Sequence, residues 1–157
     1  MAVFRYKMQS ILDIKLKMET QAKQEFAQAK LALDREEERL EELRNRKEEY
    51  EENAKRLLNG KLDLQEINSN NEAILMVKGL IAEQEKRVLR AAQMLERARQ
   101  KLQEVVQERK VQETLREKAF EQFLQEEKQQ ESKEIDQMTS YKYGQKIQMA
   151  ENNGVEV

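Results

Sequence analysis

"NGKLD", residues 59–63, separates two stretches that each read as one long helix, and it holds one of only four glycines in a 157-residue chain without proline. Asn59 and Gly60 follow the apolar Leu57 and Leu58. A glycine just past a helix end can take the left-handed backbone that lets the last carbonyls find donors. Asp63, with Glu66 three residues later, forms a capping box for a second helix. Ser69 with Glu72 forms another, so the restart falls at 63 or at 69, and Ile67, already in the later heptad register, favours 63. A helix running on through Gly60 would lose only about 1 kcal/mol relative to alanine, so the turn has to be argued from the flanks.

Both flanks carry an apolar stripe. The first runs Phe4, Met8, Ile11, Met18, Ala22, Phe26, Ala29, Leu33, Leu40, Leu43, Tyr50, Ala54, Leu57, mostly in steps of four and three, the seam of a left-handed coiled coil. Met18 to Ala22 to Phe26 makes two successive steps of four, which predicts local unwinding of the supercoil. The second stripe runs Ile67, Ile74, Val77, Ile81, Val88, Ala91, Leu95, Ala98, Leu102, Val105 in strict heptads, with Asn70 and Gln84 as polar members. Beyond it Arg109, Gln112 and Arg116 interrupt the pattern, which resumes with Leu115, Ala119, Phe123, Ile135 and Met138. Of the seven methionines, Met8 and Met18 read as seam fillers, whereas Met76, Met94 and Met138 lie off the seam or at its edge.

An isolated helix with such a stripe needs a partner, and the two stripes have comparable length when folded about residue 62. The expected fold is therefore all-α, a long two-helix antiparallel coiled-coil hairpin with an overhanging C-terminal helix end. Helix one covers about 3–58, the turn about 59–63, helix two about 64–147, and the tail 148–157 frays, the whole forming a single domain. A parallel homodimer of one uninterrupted helix is the competing arrangement. In the hairpin, facing residues have numbers adding to about 124, which sets Leu43 near Ile81 and Ala29 near Leu95. The same register puts Glu36, Glu37 and Glu38 beside Lys86 and Arg87, and Lys15 near Arg109. At about 1.5 Å per residue helix one spans roughly 80 Å and helix two over 100 Å, so the stretch from about Phe120 to Ile147 has no partner within the chain.

Composition agrees with helices and excludes much else. Charged residues make up 38% of the chain and aromatics 5%, too polar for an ordinary globular core. The 29 basic and 31 acidic residues are interleaved, as on a solvated helix surface, with no basic stripe for a phosphate backbone, so no nucleic acid is expected. Histidine and cysteine are absent, and no glycine-rich phosphate loop is present. These gaps remove the commonest general base and metal ligands, so the chain is read as no enzyme, with no metal and no cofactor. No run approaches the ~20 apolar residues of a membrane span, and the N-terminus lacks a signal-peptide core, which points to a cytoplasmic protein without direct membrane insertion.

A stiff shaft ending in an unpaired, apolar-bearing helix is a shape for insertion into something else. Here the residues add a resemblance. FRYKMQSILDIKLKMETQAKQEFAQAK, residues 4–30, resembles the start of the flagellar export protein FliJ family. ILMVKGLIAEQEKRV, residues 74–88, is similar to that family's stretch after the hairpin tip, and KEIDQMTSYKYGQK, residues 133–146, to its C-terminal pattern. The resemblance implies a component of the flagellar type III export apparatus, serving motility, placed in the cytoplasm at the inner face of the cell membrane at the flagellar base. It implies a central-stalk-like coiled coil that inserts into and activates the hexameric export ATPase, links it to the cytoplasmic linker of the export gate membrane protein, and escorts export chaperones.

By region, the ATPase end would comprise Phe4, Met8, Ile11, Leu12, Ile135, Met138, Tyr141 and Tyr143. The first four have an alternative role, sealing against helix two near Leu115 to Phe120. The resemblance places the gate contact on Leu43, Tyr50, Ala73, Val77, Leu80 and Gln84, several of which are seam positions whose competing role is core packing. The rival functions are the stalk of a virulence type III secretion ATPase or of a V-type ATPase, and a purely structural, dimerising coiled coil. The exposed C-terminal stripe could also pair two copies.

Overall fold

The computed structural model describes residues 2–155 and contains two helices, α1 (Gln9–Leu57, 49 residues) and α2 (Leu64–Val155, 92 residues). They pack as an antiparallel coiled-coil hairpin, and no strand occurs among the described residues. Gly60 adopts φ +96°, the left-handed backbone that an L side chain rarely takes. Asn59 N donates to Arg56 O at 3.1 Å, closing the last turn of α1. Asp63 caps α2: its Oδ1 accepts from Gln65 N at 3.0 Å, and its carbonyl accepts from Ile67 N at 3.1 Å. A cap of this kind contributes about 1 kcal/mol. The second capping box, Ser69 with Glu72, lies inside the helix.

The packing falls into two units, Lys15–Glu108 and the pair Met1–Ile14 with Arg109–Val157. Within the first, cross-helix partners have residue numbers adding to between 120 and 129: Asn53 with Asn70, Glu36 with Gln84, Lys15 with Glu108, Glu25 with Lys101, and Arg44 with Glu85. The register of about 124 therefore holds. Its charge details differ from expectation. Glu36 lies against Gln84, Lys86 turns to Glu83 on its own helix at 3.5 Å, and Lys15 meets Glu108 at 2.7 Å.

Ala22, Leu40, Val77 and Val105 are the buried apolar residues of this unit, and Glu19, Asn70 and Gln84 are buried with them. From residue 15 onward the covered positions of α1 include 15, 19, 22, 26, 29, 33, 36, 40, 43, 47, 50, 54 and 57, an alternation of four and three, with Glu25 and Asn53 half-buried beside it. The expected double step of four is thus absent. Glu19 occupies the seam, with Lys23 Nζ 3.5 Å from its Oε1, while Met18 is 37% exposed. Apolar character misleads here because the repeat of four and three covers position 19 whichever residue stands there, and Glu19 is 8% exposed.

Two buried amides break the apolar seam. Asn70 Nδ2 donates to Tyr50 O at 2.9 Å, and Asn53 Nδ2 donates to Asn70 Oδ1 at 3.1 Å. Gln84 Nε2 donates to Glu36 O at 3.0 Å and also to the Glu36 carboxylate. Sliding one helix by a heptad would strand each amide against aliphatic neighbours, so these layers specify register at some cost in stability.

In the other unit, helix one starts at residue 9 rather than about 3. Counted back from buried Leu12, the heptad would place Met8 and then Arg5 on the seam. Residues 2–8 leave the helix instead, and Phe4 reaches α2, 5.1 Å from the Phe120 ring and 5.5 Å from Phe123. Tyr6 follows, its hydroxyl donating to Gln112 Oε1 at 3.1 Å. Replacing a seam arginine by an aromatic cluster favours the unwound start. At the other terminus the helix carries through Gly154 to Val155, where a frayed segment from 148 was expected, and positions 156–157 lie outside the described residues.

Candidate functional site

The candidate residues of the terminal unit divide by exposure. Phe4 is half-buried in the aromatic cluster, and Leu12 is 4% exposed. Met8 and Ile11 are 41% and 36% exposed. Met8 is therefore no seam filler; with Phe4, Leu115, Ala119 and Phe123 it lines an open apolar groove. Of the four N-terminal candidates, two are committed to packing within the chain and two face outward.

Ile135, Met138, Tyr141 and Tyr143 are all more than half exposed. Every side chain from Lys128 to Gly154 is exposed, so α2 here has no partner among the described residues. Carried past Phe123, the seam that pairs the helices meets Gln130, Lys133, Gln137 and Ser140. The apolar residues sit instead on a face beginning at Phe120 and Leu124 and continuing through Ile135, Met138 and Met149. The apolar face thus turns away from the cis seam where the partner helix gives out, a shift that strict heptad counting from Val105 would have revealed.

The candidates for a gate contact lie in the Lys15–Glu108 unit. Val77 and Gln84 are buried, Leu43, Tyr50 and Ala73 are half-buried, and Leu80 is 45% exposed. Gln84 is occupied by Glu36, and the Tyr50 carbonyl by Asn70. The available face is Leu80, rimmed by Leu43, Arg39 and Arg87 along a shallow groove. Exposed Leu75 and Met76 lie one turn earlier on α2, and Leu58, Leu62 and Leu64 surround the turn. Met76 is already off the seam by sequence, whereas Leu62, Leu64 and Leu75 are further apolar residues outside the heptad.

Arg99 donates to both Glu96 oxygens, at 2.6 and 2.9 Å, which holds the Glu96 carboxyl below its usual value and raises Arg99, and both side chains are exposed. Arg109 Nη1 donates to Glu113 Oε2 at 2.8 Å. Among the described residues no cluster of potential ligands could hold a metal ion, and no helix is long and apolar enough to cross a membrane.

A family profile described as "Flagellar FliJ protein" matches residues 4–148. No curated protein sequence matches the chain. Among solved structures, that of a "putative YscO homolog CT670 from Chlamydia trachomatis" is similar at a TM-score of 0.66, with 23% identity, covering 93% of this chain and 99% of that one. At that identity the likeness is one of fold: two long helices folded back on each other.

Proposed function

The chain belongs to the flagellar FliJ family, a type III export-associated group of coiled-coil proteins, and on that premise we propose that it is a non-catalytic activator of a hexameric export ATPase. The single observation that carries the reading is the C-terminal part of α2, from Lys128 to Gly154. There Ile135, Met138, Tyr141 and Tyr143 stand exposed on a helix already formed. Preformed helix saves the ordering cost that a flexible tail would incur on docking. In this reading Ile135, Met138, Tyr141 and Tyr143 enter the ATPase ring, with Met8 and Ile11 on its rim. Phe4 and Leu12 hold the N-terminal segment in place. The protein hydrolyses nothing itself and works in the cytoplasm beside the membrane at the flagellar base.

Contact with the cytoplasmic linker of the export gate falls to the face around Leu80, with Leu43, Tyr50 and Ala73 at its edge. Val77 and Gln84 act from within, by holding the helices that present it. Escort of export chaperones belongs to the same family reading.

The test is hydrolysis by the purified cognate export ATPase with and without the protein. The full-length chain should stimulate turnover severalfold, and a version ending at Gln130 or carrying Met138→Asp should not, with unchanged helicity by circular dichroism. Equal stimulation by the truncated form would remove the tail from the mechanism. Stimulation of a virulence secretion ATPase but not the flagellar one would move the protein to the related system.

A further inference from the structure

The exposed apolar face of α2 has a charge pattern that selects one occupant. Leu124, Lys128, Glu131, Ile135, Met138, Lys142, Gln145 and Met149 follow one another in alternating steps of four and three, a complete coiled-coil seam of which every member is exposed. Three of the eight are charged. Parallel pairing with an identical segment would bury Lys128 on Lys128, Glu131 on Glu131 and Lys142 on Lys142, three like-charge layers. Antiparallel pairing in the register that sets Ile135 against Met138 does the opposite. Glu131 then faces Lys142, Lys128 faces Gln145, and Leu124 faces Met149, each pair occurring twice about the dyad. Slipping by one heptad either way sets Leu124 against Lys142 or Met138 against Lys142, so only one register matches apolar with apolar and acid with base.

The flanks agree. Residues 126–136 hold five acidic and two basic side chains, while residues 137–149 hold Lys142 and Lys146 and no acid. Antiparallel alignment lays the acidic half of one segment along the basic half of the other, which steers encounter as well as fixing register.

We propose that residues 124–149 form a tail-to-tail antiparallel coiled coil with a second copy of this chain, covering the apolar face when no other partner does. This goes beyond the export-ATPase reading and needs no ATPase for its test. The chain has no cysteine, so single-cysteine variants take a spin label at one site only. Sedimentation of the full chain from micromolar to millimolar concentration should show mass rising from 18.7 kDa toward twice that value. A label at Gln137→Cys, beside the dyad, should report an intermolecular separation below about 20 Å, and one at Gln125→Cys about 35 Å, from 23 residues of helix rise. Glu131→Lys should weaken association at least about tenfold by setting lysine on Lys142, and Glu131→Lys with Lys142→Glu should restore it. A chain that stays monomeric, a short distance at Gln125→Cys, or a charge reversal without effect would each overturn the proposal.

Discussion

Residues 64–108 and residues 128–154 belong to the same helix, yet they behave as different materials. In the first, Val77 and Val105 are buried, Asn70 and Gln84 find cross-helix acceptors, and the seam returns every three or four residues. In the second, no side chain is covered at all. Helical propensity is shared; burial is not. The contrast shows that a coiled-coil seam is a property of two surfaces, and that an apolar stripe without its complement is surface held ready for binding.

The largest effect that could break this contrast is a cavity in the paired region. Leu40→Ala should lower unfolding stability by about 2–4 kcal/mol in urea titration. Ile135→Ala, at dilution, should change it by less than about 0.5 kcal/mol. Comparable losses at both sites would mean the tail is packed in solution.

The polar layers come next. Asn70→Ala should cost about 1–2 kcal/mol, because the Tyr50 carbonyl and Asn53 amide lose their partner. Asn70→Leu should recover part of that stability while broadening the distances between spin labels at Ala29 and Leu95, as registers other than the native one become accessible. An unbroadened distribution would assign register to the apolar residues alone.

Gly60→Ala should cost about 1 kcal/mol, since φ +96° strains any side chain although space around the glycine is open. Thermal melts of this variant and of Asp63→Ala would separate the turn from its cap.

The smallest effect concerns Glu96. Its carboxyl is held low by Arg99, so its contribution is present above the ordinary carboxylate range and is lost as pH falls through the lowered value in acid. The pair is fully exposed and screened, so Glu96→Gln should leave the melting temperature unresolved from the parent at neutral pH.

Much of this was legible in the residues. Gly60, Asp63 and the heptads around Leu40 and Val77 define a turn, a cap and two matching faces, and the pairing register follows from counting alone. Misreadings clustered where polar side chains do core work or apolar ones stay outside. Hydrophobicity points to Met18 where the repeat covers Glu19, and Met8 leaves the seam because residues 2–8 leave the helix. Phe4 and Leu12 could be placed near the terminal contact but not oriented.

By itself, the sequence determined what local chemistry can specify: helices, the break between them, and a seam with a period of three and a half residues. Only the tertiary structure decided that Glu19 shares that seam, and that residues 2–8 unwind to seat Phe4 on Phe120 and Phe123. Those outcomes depend on what the facing helix offers at each level and where it stops. No residue carries that information alone.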